Sequence, residues 1–149
     1  MKLIKTHIEG QAEIEVEIRY AEMDSTVANL IRRIEQSESF IYGTDSGRQY
    51  KIQVSDIYYA ESVDKKTFIY TKAAVFRSEL RLYQLYETLK SHDFIQVSKS
   101  CLVNMNVIES LCSLLNSRLE ATLINGEKIN VSRTYLPEIK AAFTVKEGV

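Results

Sequence analysis

The chain has 149 residues, 45% of them hydrophobic, and 19 Lys+Arg against 20 Asp+Glu give a formal charge of −1. That length and balance fit one compact domain with or without a short extension, and they exclude a disordered or low-complexity chain. No apolar run reaches the roughly 18 residues of a membrane span, no signal-peptide stretch opens the chain, and the near-neutral charge argues against a strongly basic nucleic-acid binder.

In chain order, residues 11–20 alternate Ile14, Val16 and Ile18 with Glu13, Glu15, Glu17 and Arg19, the period of a half-buried strand. Asp24 or Ser25 then caps a helix whose Val27, Leu30, Ile31 and Ile34 share one face, running out between Gln36 and Ser39. This strand–helix unit, residues 1–40, is too small to fold alone and is expected to pack on the remainder, residues 41–149. From residue 40 short β-rich runs follow: 40–44, 48–54, 57–61, 67–71 and 74–77, parted by the turn signals at 45–47 and 63–66. Ser78 is placed to cap a second helix that buries Leu82, Leu85, Tyr86 and Leu89. Strands are expected again at 94–97 and 102–108, the latter with a break. A pair follows at 110–115 and 119–124, and the turn Asn125-Gly126 leads into a last strand at 128–131. A terminal helix over 134–143 carries Leu136, Ile139 and Phe143 on one face, with Pro137 in its first turn and a frayed tail from Thr144. About nine short strands and three helices result, a mostly β chain that does not alternate as a βαβ series.

Little in the chain favours catalysis. Cys101 and Cys112 are the only cysteines and His7 and His92 the only histidines, so no zinc spacing exists. With no export signal the thiols are expected to stay reduced in the cytoplasm. Cys101 reads as a buried small hydrophobe and His92 as a partner for a helix C-terminus. The five glycines build no phosphate-cradling loop, so no cofactor is expected. Asp56 and Glu61 flank one strand and are read as solvated edge charges before an acid–base pair.

Three turns have another composition. Lys65, Lys66 and Thr67, then Ser98, Lys99 and Ser100, then Ser132, Arg133 and Thr134, each put a cation beside hydroxyls at the end of a β run. Such groups bind phosphate oxygens, and Lys or Arg can read guanine in the major groove. Charge is also uneven: residues 1–40 hold 5 basic and 8 acidic residues, the rest 14 and 12. The acidity therefore belongs mostly to the N-terminal unit.

Residues 94–104, FIQVSKSCLVN, resemble the central signature of the LytTR family of DNA-binding domains, and Val107-Ile108-Glu109 continues in its manner. Asp56-Ile57-Tyr58-Tyr59-Ala60-Glu61 is similar to the family's upstream segment, and Val131-Ser132-Arg133-Thr134-Tyr135 to its final strand-to-helix turn. The resemblance covers residues 41–143. It departs at Gln96, where the family usually has Arg, and at Ser98, where it usually has His. The resemblance implies an elongated stack of small, mainly antiparallel sheets with peripheral helices, whose loops enter successive major grooves. It implies a stand-alone, sequence-specific regulator of transcription on double-stranded DNA. Lys99 and Arg133 would enter the groove, Lys65, Lys66 and Thr67 would act in the first loop, and Ser98 and Ser100 would position phosphates. Asn104 is assigned to holding a turn. The implied partners are imperfect direct repeats of DNA, a second protomer on that DNA, and a membrane protein as controller. The competing reading is a protein-interaction module on the same scaffold, motivated by Gln96, Ser98 and the near-neutral charge. A small-molecule enzyme comes third.

Overall fold

A computed structural model of the chain describes residues 1–36 and 39–146. It contains ten strands and three α-helices among these residues. Helix α1 (Ser25–Gln36) leads into the hairpin β1 (Phe40–Asp45) and β2 (Arg48–Gln53). Strands β3 (Ile57–Val63), β4 (Lys66–Thr71) and β5 (Val75–Ser78) precede helix α2 (Leu82–Leu89). Then come β6 (Phe94–Ser98), β7 (Cys101–Asn104), β8 (Ile108–Leu114), β9 (Arg118–Leu123), β10 (Lys128–Val131) and helix α3 (Leu136–Lys146). The strands form two antiparallel sheets: seven strands in the order β2-β1-β5-β4-β3-β7-β6, and three in the order β10-β9-β8. The mostly β, antiparallel architecture is the expected one, although the larger sheet is broader than a stack of small sheets implies.

Two cores flank the β6–β7 hairpin. Phe94 and Leu102 point with Ile41, Ile52, Ile57, Ala60 and Ile69 toward Leu82, Leu85 and Leu89 of α2. Ile95, Val97 and Val103 point the other way, onto Leu119, Ala121, Leu123 and Val131 of the small sheet and Ile139 of α3. Burial on both faces is why Phe94 and Ile95, and Leu102 and Val103, are adjacent apolar residues instead of alternating with polar ones. Asn104 is buried, donates from Nδ2 to the Ile57 carbonyl at 2.9 Å and accepts the Asn106 amide at 2.9 Å. It holds the turn between β7 and β8, as expected of it.

Close packing is severe at Gly43 on β1. A Cβ there would lie 2.7 Å from Phe76 Cβ and 2.8 Å from Ile52 Cδ1. Gly43→Ala is expected to cost about 1–3 kcal/mol of stability through overpacking, read as a lower urea midpoint with unchanged slope.

Several boundaries differ from the sequence reading. Asp24, not Ser25, caps α1, accepting the Val27 amide at 2.8 Å. Ser78 does not cap α2; its hydroxyl accepts the Leu80 amide, and the helix starts after Arg81, whose amide donates to Gln84 Oε1 at 2.8 Å. Helix α3 continues to Lys146, past the expected fraying at Thr144; the rest of that tail, 147–149, lies outside the described residues, as do Ser37 and Glu38 at the expected end of α1. His92 sits just beyond α2 with Nδ1 3.1 Å from the Thr88 carbonyl, at the helix C-terminus where it was expected.

The largest difference is at residues 11–20, which form no strand. A strand needs a ladder as well as a period, and among the described residues no neighbouring strand pairs with this segment. Ile14 is 94% exposed and Val16 57%. Its side-chain bonds are local, Gln11 to the Glu13 carbonyl and Arg19 to Glu17. The helical half of the N-terminal unit does meet the body: Arg32 pairs with Asp93 at 3.1 Å and Arg33 donates to Asn106 at 3.2 Å.

Candidate nucleic-acid interface

The three polar turns lie on neighbouring strand ends. Strands β3 and β4 are joined by Asp64-Lys65, both left-handed with φ of 51° and 65°, and Val63 pairs with Lys66. A two-residue hairpin turn with positive φ at both positions matches strand twist. A lysine there, where glycine would be relaxed, costs about 1 kcal/mol and puts an ammonium at the tip. Lys65 and Lys66 are exposed. Thr67 is not: it is 3% exposed, between Ser62 and Ser78 in the sheet, and offers no hydroxyl to a ligand. An alternating strand must turn every second side chain inward, and Thr67 falls on the inward position.

The β6–β7 turn is Lys99-Ser100. Ser98 Oγ accepts the Ser100 amide at 3.2 Å and lies 3.5 Å from Ser100 Oγ. These hydroxyls brace the turn, while Lys99 is exposed. After β10, Val131 is buried and Ser132, Arg133 and Thr134 emerge, closed by a bond from the Tyr135 amide to the Ser132 carbonyl at 2.9 Å.

Two backbone bonds tie the turns together. The Ser62 amide donates to the Ser100 carbonyl at 2.8 Å, locking the β3–β4 hairpin to the β6–β7 turn. The Ser132 amide donates to the Val97 carbonyl at 2.8 Å, locking the turn after β10 to the same strand end. An open groove lies beside the second of these bonds, lined by Ser98, Arg118, Asn130, Val131, Ser132 and Arg133. The sequence reading missed Arg118 and Asn130. The signal for Arg118 was present, a cation directly after the turn Asn116-Ser117, whereas only the pairing of β9 with β10 reveals Asn130. Glu120 sits opposite Asn130, with Lys128 3.7 Å from its carboxylate.

Behind the turns lies a layer of phenols and carboxylates. Tyr59 and Tyr70 stack at 4.2 Å between centroids, and the Tyr70 hydroxyl donates to Glu61. Burial, then the bond to Glu61, pushes the Tyr70 phenol up to about 12; burial and Glu127 raise Tyr59 further, so both stay protonated donors. Glu61 is therefore engaged with Tyr70. Asp56 precedes the opposite end of β3, roughly 16 Å along the strand, so the two do not form a carboxylate pair.

Burial, and then Glu61, also pushes the Cys101 thiol up to about 12, so it is a neutral thiol at pH 8, whereas Cys112 is exposed on β8. Iodoacetamide at pH 8 is expected to label Cys112 first and Cys101 about tenfold more slowly or worse, with peptide mass mapping as the check.

A family model described as the LytTr DNA-binding domain matches residues 47–144. The sensory transduction protein LytT of Bacillus anthracis is 27% identical over 140 residues, covering 94% of this chain and 52% of that protein. The chain thus spans about half the length of that relative. An uncharacterized HTH-type transcriptional regulator of Staphylococcus aureus (strain NCTC 8325 / PS 47) is 28% identical over 138 residues, 91% of this chain and 93% of its own. Among solved structures, the LytTr DNA-binding domain of a Bacillus cereus response regulator superposes with a TM-score of 0.66 at 23% identity, covering 70% of this chain and 96% of that one.

Proposed function

The chain belongs to the LytTr DNA-binding domain family, and on that premise we propose that it is a transcription regulator whose three tied turns form the DNA-reading edge. The observation that carries this reading is their convergence: the Ser62–Ser100 and Ser132–Val97 backbone bonds set Lys65, Lys66, Lys99 and Arg133 on one edge, with Arg118 in the groove beside them. Cations on rigid hairpin tips can contact phosphates or base edges with little ordering cost. Lys99 and Arg133 are the groove-entering pair. Lys65, Lys66 and Arg118 hold the backbone, and Ser98 and Ser100 act by bracing Lys99. Turns, not a recognition helix, carry the contacts. The ligand is double-stranded DNA bearing imperfect direct repeats, read by two protomers, and the site of action is the cytoplasm. No helix among the described residues is long and apolar enough to cross a membrane.

Selection from a random duplex library, followed by a salt titration on the winning sequence, tests the reading. With some three to five phosphate contacts per protomer, the logarithm of affinity is expected to fall against log salt with a slope near −3 to −5 for each protomer bound. Failure to enrich any sequence would exclude specific recognition. Enrichment with a flat salt response would exclude the cationic edge.

A further inference from the structure

Residues 13–19 carry the strongest strand pattern in the N-terminal unit and have no strand partner. Ile14 is 94% exposed and Val16 57%, Ile18 is half-buried, and Glu13, Glu15 and Glu17 alternate with them in sequence. Drawn out as a strand, such a segment would present a row of amides and carbonyls to pair and one apolar side to cover. The body has a matching vacancy. Strand β2 is the outer strand of the seven-stranded sheet and pairs with β1 alone among the described residues. Ile52 is buried on its inner face beside Tyr50, which is still 40% exposed. On its outer face Lys51 lies 3.9 Å above the Phe40 ring, flanked by Gln49 and Gln53. Arg48 falls on the inner face with Tyr50 and Ile52, so Lys51 is the cation of the outer face.

We propose that residues 13–19 of one copy add to the β2 edge of a second copy, reciprocally, and so make a strand-exchanged dimer. Docked there, Ile14, Val16 and Ile18 continue the face of Tyr50 and Ile52, and Glu13, Glu15 and Glu17 continue that of Lys51. The other edges fit less well. Strand β8 carries Glu109 and no cation, so it would set acid against acid. Strand β6 is already met by the Ser132 amide and α3, and β10 offers four residues bordering the groove. Strand addition at an edge takes its affinity from main-chain bonds and its choice of edge from side chains. An isologous exchange uses both copies of arm and edge, which closes the assembly. This inference rests on the two-protomer part of the proposed function alone, and its test is made without DNA, so the two fail separately.

Sedimentation equilibrium of the full chain measures the dimer directly. The wild type is expected to dimerise at micromolar concentration, and Val16→Pro, which removes a ladder donor outside either core, to raise the dissociation constant by about tenfold or more. Circular dichroism confirms that this variant stays folded. Two charge variants then identify the contact: one with Glu13, Glu15 and Glu17 all replaced by Lys, the other with Lys51→Glu. Each alone is expected to be monomeric, and their mixture to form a heterodimer. Amide exchange of residues 13–19 should slow only as concentration rises. A monomer with slow exchange at every concentration would place the arm on its own chain, and a monomer with fast exchange would leave it unpaired. Either result overturns the proposal, as does a dimer insensitive to all three variants.

Discussion

Replacing Arg133 by Ala is expected to weaken binding to the selected DNA site by about 5- to 150-fold, the equivalent of about 1–3 kcal/mol for one bidentate guanidinium–guanine contact. Arg133 is exposed on the short turn between β10 and α3 and lines the groove with Ser98, Arg118 and Asn130. Its backbone is fixed on both sides, by the Ser132–Val97 bond before it and by Tyr135 and Leu136 packed on the core after it. A turn held so firmly needs little backbone ordering on binding, and Arg133→Ala is expected to leave the fold intact because the side chain is exposed. The expected pattern distinguishes reading from simple attraction. Arg133→Ala should relax preference at particular base positions. Lys65→Ala or Lys66→Ala should weaken all sequences alike and make the salt slope shallower by about one each. Fluorescence anisotropy on the selected site and on a scrambled duplex, at two salt concentrations, measures both. If Arg133→Ala and Lys99→Ala both left affinity unchanged, the edge would not be the reading surface.

The second large effect concerns stability. Leu102→Ala should cost about 2–5 kcal/mol. Leu102 is fully buried at the centre of β7, among Ile57, Ala60, Leu85 and Phe94. Strand β7 pairs with β3 on one side and β6 on the other, so a cavity there lies between the strands that end in the Lys65 and Lys99 turns. Against a typical 5–15 kcal/mol for a whole domain, the loss should lower the melting temperature by roughly 4–20 °C. At temperatures where the variant is folded, affinity for DNA should fall far less than with Arg133→Ala. A melting curve within about 1 °C of wild type would mean that this interior relaxes around the missing side chain.

Which features were legible in advance follows from how local their physics is. The hairpins at 45–47, 64–65 and 125–126 announce themselves because turn chemistry is decided within four residues. The apolar face of α2 is equally local, since Leu82, Leu85 and Leu89 meet at helical spacing whatever covers them. Of the donor set, the cations were visible as exposed charges in turns. Thr67 was misjudged because its neighbours are turn residues while its own position in β4 faces inward. Asn130 was missed because it joins the groove only through pairing across to β9. The strand at 11–20 was misjudged for the converse reason: its pattern is that of a strand, yet a pattern does not supply a neighbour.

The sequence by itself determined the strands and helices from residue 24 onward, the apolar framework of residues 94–104 and the kind of residue at each turn, because period, turn propensity and charge act over a few residues. Tertiary structure decided which turns stand together, which face of β4 holds Thr67, and that residues 13–19 join no strand ladder among the described residues. Those outcomes depend on hydrogen bonds between strands far apart in the chain, such as Ser62 to Ser100 and Ser132 to Val97. A ladder bond satisfies two backbone groups at once, so its effect appears only when both strands are in place.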